Sequence, residues 1–556
     1  MDSYYDLGAY SRPVSTHSKE AQRWFDRGLI WCYGFNHEEA ARCFQRALAA
    51  DSRCAMACWG LAYAHGPFIN KTWQSYAEIE RKESVALCYD VVQRAVECSH
   101  KNPPIERALI RALTARYPAR QTRSDTDYDA WNHAYVIAMR DVYEAFPADL
   151  DVITLYAEAI HNHSPWQLWD IHQGTPREGA YTIDAVKAIE AGLVLIDDQG
   201  LAPHPGLAHV YIHTMEMSPY PERAQPVADS LRMLAPDAGH LCHMPAHIDV
   251  LCGNYDKAIT ASDRAIDADK KYLAQVGHFD FYTTACCHDY HLKMYAAMFL
   301  GQQRNAIEAA QGITNLLTEE ILRVDKPHMA NTLESYYSMS MHVYVRFGRW
   351  QEIIDAPMPG NSTLYSVTTG MFHYAKGIAY AATGQIEAAE IQSQLFEQVL
   401  DTIPTTRLVF NNRAADVLAI GRAMLQGELA YRQGNYAQAF NALRKAAYLD
   451  DHLAYTEPWA WMHPPRHALG ALLLEQNHVD EAERVYRADL GLDPVLNRPA
   501  QHPNNVWSLH GYMECLKRLG KVEEAVSIEP FLDRALARAD VEINASCRCR
   551  THLCLD

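Results

Sequence analysis

The sequence predicts an all-α protein in which antiparallel helix pairs stack into an α-solenoid. Segments with helical periodicity alternate with short turns rich in Gly, Pro or Asp, and alternating β-branched runs are rare. Small residues also recur at one spacing in several of these segments. Because a single helix pair cannot bury its own apolar face, such a sequence favours the stacking of successive pairs.

Length, charge and cysteine usage restrict the class of protein. The 556 residues exceed one compact core, so several domains or a repeat array are expected. The net charge of −18 argues against nucleic acid or an anionic membrane as the main partner. We find neither a signal peptide nor a membrane span, and the 14 cysteines are scattered through helical segments. These features predict a cytoplasmic protein. They leave the oligomeric state open between a monomer and a homodimer.

The repeat signal begins near the N-terminus. Gly28, Ala40, Phe44 and Ala47 have the small–small–aromatic–small spacing of a tetratricopeptide repeat (TPR), and Gly60 restarts it. The same spacing returns in two later sets, Gly427, Ala439 and Ala446, and Gly470, Ala482, Tyr486 and Pro494. We therefore expect a TPR-like α-solenoid in which small residues let antiparallel helices pack closely.

Four segments follow from these patterns. We assign TPR-like helices to residues 1–120, a central helical region with a histidine-rich site to 121–345, and further TPR-like helices to 346–540. The tail, 541–556, holds Cys547, Cys549, His552 and Cys554. A C-x-C pair with a nearby His can ligate a soft metal or cycle as a dithiol, although a frayed terminus is the default interpretation.

Histidines concentrate in three stretches between His204 and His291. On each stretch they recur at helical spacing, so their imidazoles share one face of a helix. The three sets are His209, His213 and Glu216; His240, His243 and His247; and His288 and His291. Neutral imidazoles and a carboxylate on facing helices are the groups from which a metal site is built, and the alternative is a merely structural histidine network.

We predict a divalent metal site on this block, with roles divided among ten residues. The predicted metal ligands are His213, Glu216, His243, His247 and His291. The residues expected to orient ligands or to act as acid or base are His209, His240, His288, Glu158 and Asp170. Zinc is the first expectation, and the donor set also suits iron, copper or manganese.

The predicted function is that of a metal-dependent enzyme of the hydrolase or lyase type. A metal-activated water would cleave a small organic molecule bound on the concave face of the solenoid. Three alternatives remain open: an iron- or copper-dependent oxidoreductase at the same site, a metal-independent enzyme with His as acid or base, and a scaffold for a protein or peptide partner.

Several blocks resemble a family of TPR proteins found in bacteria and filamentous fungi. They are NHEEAARCFQRALAADSRCAMACWGLAYAHGP, HVYIHTMEMSP, GHLCHMPAHI and HPPRHALGALLLEQNHVDEAERVYRADL. The two histidine blocks are much more specific than the repeats. The resemblance extends over about residues 20–520 and implies a TPR-like α-solenoid, with no settled activity to carry over.

Overall fold

Helices account for nearly all regular structure in residues 4–550, the range that this computed structural model describes. Two short hairpins add the antiparallel strand pairs β1 (Trp169–Asp170) with β2 (Thr175–Pro176) and β3 (Leu408–Val409) with β4 (Asn412–Arg413). The predicted fold class, an all-α, TPR-like α-solenoid of antiparallel helix pairs, is confirmed. Within residues 4–550, no helix combines the length and apolarity that crossing a bilayer requires.

The chain forms two compact units. The first unit consists of the chain up to Ile248 together with Asp263–Cys286 and Asp325–His328. The second consists of Asp249–Ser262, Cys287–Val324 and the chain from Met329 onward. The four segments expected from the sequence stay a prediction.

Fourteen α-helices lie within the described residues up to residue 300. They are α1 (Lys19–Tyr33), α2 (His37–Ala50), α3 (Ala55–Ala64), α4 (Glu78–Cys98), α5 (Pro104–Arg116), α6 (Thr126–Ala145), α7 (Leu150–His163), α8 (Thr182–Gln199), α9 (Pro205–Met215), α10 (Gln225–Leu231), α11 (Gly239–His243), α12 (Pro245–Leu251), α13 (Tyr255–Val276) and α14 (Thr283–Leu300). Short 3-10 turns lie at Trp73–Ser75 and Pro221–Ala224.

The remaining helices continue the same pattern. They are α15 (Gln303–Leu316), α16 (Glu319–Leu322), α17 (Met329–Tyr337), α18 (Met339–Arg346), α19 (Trp350–Asp355), α20 (Ser366–Ala382), α21 (Ile386–Leu400), α22 (Ala414–Arg432), α23 (Tyr436–Asp451), α24 (Pro465–Glu475), α25 (Val479–Asp489), α26 (Val506–Leu519) and α27 (Val522–Leu536). A 3-10 turn lies at Arg498–Ala500. The closest pairs include α22 with α23 and α20 with α21.

Helix crossings in each unit use the small–aromatic spacing that the sequence predicts. In the first unit, the Phe44 ring lies between Gly28 and Gly60, and a Cβ on either glycine would overlap it. In the second unit, Tyr486 occupies the same kind of position between Gly470 and Gly511. Each aromatic ring therefore fills a gap that exists only because the neighbouring helix has no side chain there.

Helix α2 has a side-chain cap at its N-terminus. Asn36 Oδ1 accepts a hydrogen bond from the Glu39 backbone N–H at 3.1 Å, which satisfies a donor of the first helical turn. His37 therefore lies in that first turn, and its Nδ1 lies 3.1 Å from the Ala64 carbonyl oxygen.

The second unit buries a polar network around Asp489. This carboxylate accepts hydrogen bonds from His467 Nε2 at 3.0 Å and from His502 Nδ1 at 2.8 Å. It also accepts from the side chains of Asn505 and Ser508. Arg346 Nη1 donates to His467 Nδ1 at 2.9 Å, so both nitrogens of this buried imidazole have a partner. We interpret the histidine at the start of α24 as part of the core.

The cysteines of the tail are paired as far as the described residues reach. Cys547 and Cys549 form a disulfide with a Cα–Cα distance of 5.2 Å. His552 and Cys554 lie outside the described residues. A metal or redox role for this tail stays a prediction.

Candidate metal centre

Five imidazoles and one carboxylate of the first unit are almost completely buried. The exposed fractions of His209, His213, His240, His243, His247 and Glu216 lie between 0% and 1%. The two histidines of α9 are one turn apart, His240 and His243 belong to α11, and His247 belongs to α12. These six side chains therefore lie in the interior of the first unit.

Local sequence signals set the ends of these helices. His204 Nδ1 accepts the Leu207 N–H at 3.0 Å and caps α9, which begins at Pro205. The GHLCHMPAHI stretch forms two short helices, the first of which ends at His243. Pro245 has no N–H to donate into a continuing helix, so it opens α12 instead.

The Glu216 carboxylate joins two of the imidazoles. Its Oε1 lies 2.7 Å from His213 Nδ1, and its Oε2 lies 2.6 Å from His247 Nδ1. An ionised carboxylate only accepts hydrogen bonds, so both histidines donate from Nδ1 and hold their lone pairs on Nε2. Burial lowers the pKa of His213 to about 3, which keeps this imidazole neutral.

His209 has the same tautomer for a different reason. Its Nδ1 donates to the backbone carbonyl oxygen of Tyr33, the last residue of α1. Burial, together with the neighbouring His213, holds the pKa of His209 well below its usual range. Within residues 4–550, the Nε2 atoms of His209 and His213 are buried and have no hydrogen-bond partner. Each therefore presents a lone pair to the interior.

His240 completes a group of three imidazoles. One ring nitrogen from each of His209, His213 and His240 lies within 4.8 Å of the others. The ring centroids are 4.8 Å apart for His209 and His213, and 5.0 Å apart for His209 and His240. Two ligand nitrogens of a tetrahedral zinc lie about 3.3 Å apart, so small ring movements bring this group to the geometry of a metal site.

Aromatic side chains cover the three imidazoles. The Phe35 ring lies 4.3 Å from His209 and stacks on His213 and His240 at 5.6 Å and 5.3 Å between centroids. Trp166 meets His213 edge-on at 5.5 Å. Phe35 and Trp166 both have a positive φ, 54° and 58°, which is rare for bulky residues and is common at functional sites. The loop containing Trp166 is thus placed against the histidines, and sequence reasoning missed the contact of Phe35 with them.

Glu158 and Asp170, the two carboxylates predicted to assist the site from upstream segments, accept hydrogen bonds from nearby residues. Glu158, on α7, accepts a hydrogen bond from the Asn162 side chain, and burial raises its pKa against the opposing effect of Arg116. Asp170 accepts the backbone N–H groups of His172 and Gln173, each at 3.0 Å, and so orders the turn after β1. Their roles as acid, base or orienting group stay predictions.

His288 and His291 belong to the second unit. There His291 Nε2 lies 3.1 Å from Met462 Sδ, and the imidazole stacks on Phe410 at 4.6 Å between centroids. Burial, with His288 and His342 nearby, holds the pKa of His291 well below its usual range. The predicted participation of His288 and His291 in the metal site stays a prediction.

Comparisons with known proteins add structural likeness at low identity. No protein-family model and no curated protein matches the sequence. Among solved structures, yeast Tom70 matches at 12% identity and a TM-score of 0.32, covering 93% of this chain and 99% of that one. The APC/C hetero-tetramer Cut9–Hcn1 matches at 12% and 0.32, covering 93% and 76%. The human IFIT1 dimer with m7Gppp-AAAA matches at 11% and 0.33, covering 94% and 92%.

All three TM-scores are below 0.5, so the assignment of the fold class rests on the helix pairs described above. The chain is a TPR-like helical-repeat protein. Its more specific resemblance to bacterial and fungal proteins with this histidine block stays a prediction.

Proposed function

We propose that this chain is a metal-binding helical-repeat protein that holds a divalent transition metal on His209, His213 and His240. The observation that carries the proposal is the pair of buried, unpartnered Nε2 atoms on His209 and His213. Each of these imidazoles uses its Nδ1 for a hydrogen bond, which is the usual arrangement for a histidine that binds metal through Nε2. In this assignment Glu216 orients a ligand rather than binding the ion itself.

Zinc is the first expectation for a site of three neutral imidazoles, and copper and iron are the alternatives. Such a ligand set leaves a coordination position for water, and bound zinc lowers the pKa of that water enough to supply hydroxide near neutral pH. We therefore propose hydrolysis or a related cleavage of a small organic molecule as the reaction. If copper or iron is the native metal, the same donors favour an oxidoreductase instead.

Elemental analysis of protein purified without chelators tests the proposal. We expect at least one equivalent of a transition metal in the unaltered chain, and loss of that equivalent in His209→Gln and His213→Gln. The matched control is His37→Gln, since His37 is also buried in the first unit but bonds to the Ala64 carbonyl. Less than about a tenth of an equivalent in the unaltered chain, or full metal content in both variants, would overturn it.

A second candidate function is the binding of a protein or peptide partner, the common use of stacked helix pairs. One observation favours it: Val522 and Val526, one turn apart on α27, are 69% and 61% exposed. A pull-down in which a stoichiometric partner is lost in Val526→Asp and retained in His213→Gln would favour this candidate. Retention in both variants would exclude this face of α27 as the docking surface.

A further inference from the structure

His243 and His247 form a second group of ring nitrogens next to the first. Their Nε2 atoms lie 2.8 Å apart, and neither side chain is exposed. His243 is the last residue of α11, and His247 is the third residue of α12, so the break at Pro245 turns the two rings toward each other. The ring centroids are 4.7 Å apart at an interplanar angle of 82°.

The tautomer of His247 limits the possible interpretations of the contact between the two Nε2 atoms. Because His247 donates from Nδ1 to Glu216 Oε2 at 2.6 Å, its Nε2 carries a lone pair that points at His243 Nε2. The pair is therefore either one hydrogen bond donated by His243 or two lone pairs directed at a shared cation. Two imidazole nitrogens on one metal lie about 2.9 Å apart at a ligand angle of 90°, given bonds of about 2.05 Å. The observed spacing of 2.8 Å is close to this value and shorter than the roughly 3.3 Å expected at tetrahedral zinc, so it favours an ion with ligand angles near 90°.

We propose that His243 and His247 hold a second metal ion beside the ion at His209, His213 and His240, which makes the cluster a two-metal centre. This inference rests on the proposed function, because the first ion is part of it. The ligands are neutral imidazoles with a spacing that fits a 90° ligand angle, so the second ion is of the copper(II) class, which takes square-planar or tetragonal geometry.

Glu216 connects the two groups of ligands. One of its oxygens holds His213 of the first group, and the other holds His247 of the second. The ring centroids of His213 and His247 are 5.6 Å apart, and those of His240 and His243 are 5.9 Å apart. Ions held by these neighbouring rings would lie side by side, and together they would supply the stabilisation of both oxygens of a displacement that two-metal sites provide.

The stoichiometry of metal binding tests the inference separately from the proposed function. Chelator-treated protein is titrated with Zn(II) and with Cu(II), and bound metal is measured after gel filtration. We expect two equivalents for the unaltered chain, one for His247→Gln and one for His243→Gln, with two retained in the control His37→Gln. A single equivalent in the unaltered chain overturns the second site and leaves the first standing, whereas no bound metal overturns both.

Two further results decide the remaining cases. If folded His243→Gln and His247→Gln both retain two equivalents, the second ion binds elsewhere and the inference is wrong. If these variants do not fold, electron paramagnetic resonance of the Cu(II)-loaded unaltered chain replaces them. A spin count well below the copper content supports two neighbouring ions, and a spin count equal to it without dipolar broadening overturns the inference.

Discussion

Replacing Glu216 by Gln tests whether this carboxylate orients the imidazoles of the metal centre. Glu216 accepts from His213 Nδ1 and His247 Nδ1 with separate oxygens, at 2.7 Å and 2.6 Å. A Gln side chain offers one oxygen, and its NH2 group faces the second Nδ1–H, so one imidazole must turn or change tautomer. Loss of such an orienting partner lowers metal affinity about 10- to 100-fold, equivalent to about 1.4–2.7 kcal/mol.

The assay is competition for Zn(II) against a chromophoric chelator at fixed pH and salt, with far-UV circular dichroism to establish folding. The matched control is Glu190→Gln on α8. The Glu190 carboxylate accepts a hydrogen bond from the Tyr211 hydroxyl at 3.0 Å rather than from a histidine. We expect the control to bind Zn(II) as the unaltered chain does. A folded Glu216→Gln variant whose affinity stays within a factor of about two would refute the orienting role.

Three other predictions concern stability and are read by urea unfolding. Gly60→Ala forces a methyl group against the Phe44 ring and should lower the free energy of unfolding by about 1–3 kcal/mol. Asn36→Ala removes the cap of α2 and should cost about 1 kcal/mol. Burial lowers the pKa of His467 from 6.5 to about 4, although Asp489 acts in the opposite direction. As the pH falls, the unfolded chain therefore binds a proton at this residue before the folded chain does. The free energy of unfolding should decrease between pH 6.5 and pH 4, by about 3 kcal/mol at pH 4. His467→Gln should remove this part of the pH dependence, and an unchanged pH profile would contradict the assignment.

The pairing of helices could be predicted from the sequence because it depends on local spacing. Phe44 meets Gly28 in the preceding helix and Gly60 in the following one, so the contact partners lie within one repeat of each other. The Tyr486 contacts with Gly470 and Gly511 follow the same rule. Residue spacing that recurs along the chain is therefore enough to predict the fold, even where the repeats are degenerate.

The grouping of the histidines at the candidate metal centre could be predicted only in part. Helical spacing correctly places His209 beside His213, but it does not show which imidazoles from separate helices share one point. That grouping depends on contacts distant in sequence, such as the Tyr33 carbonyl that fixes the tautomer of His209. Phe35 was missed because it is a single aromatic residue in the turn between α1 and α2, with no motif around it.

The hydrogen-bond partners of the histidine nitrogens bear on whether these residues bind metal or only form a structural network. His467 represents the structural case, since Arg346 and Asp489 satisfy both of its nitrogens in the core of the second unit. His209 and His213 are equally buried, yet each leaves Nε2 without a partner in the described residues. An unsatisfied buried polar atom costs about 1–3 kcal/mol, so a fold that only needed to fill this space would be more stable with apolar side chains there. The proposal of a metal site rests on this difference between His467 and the pair His209 and His213.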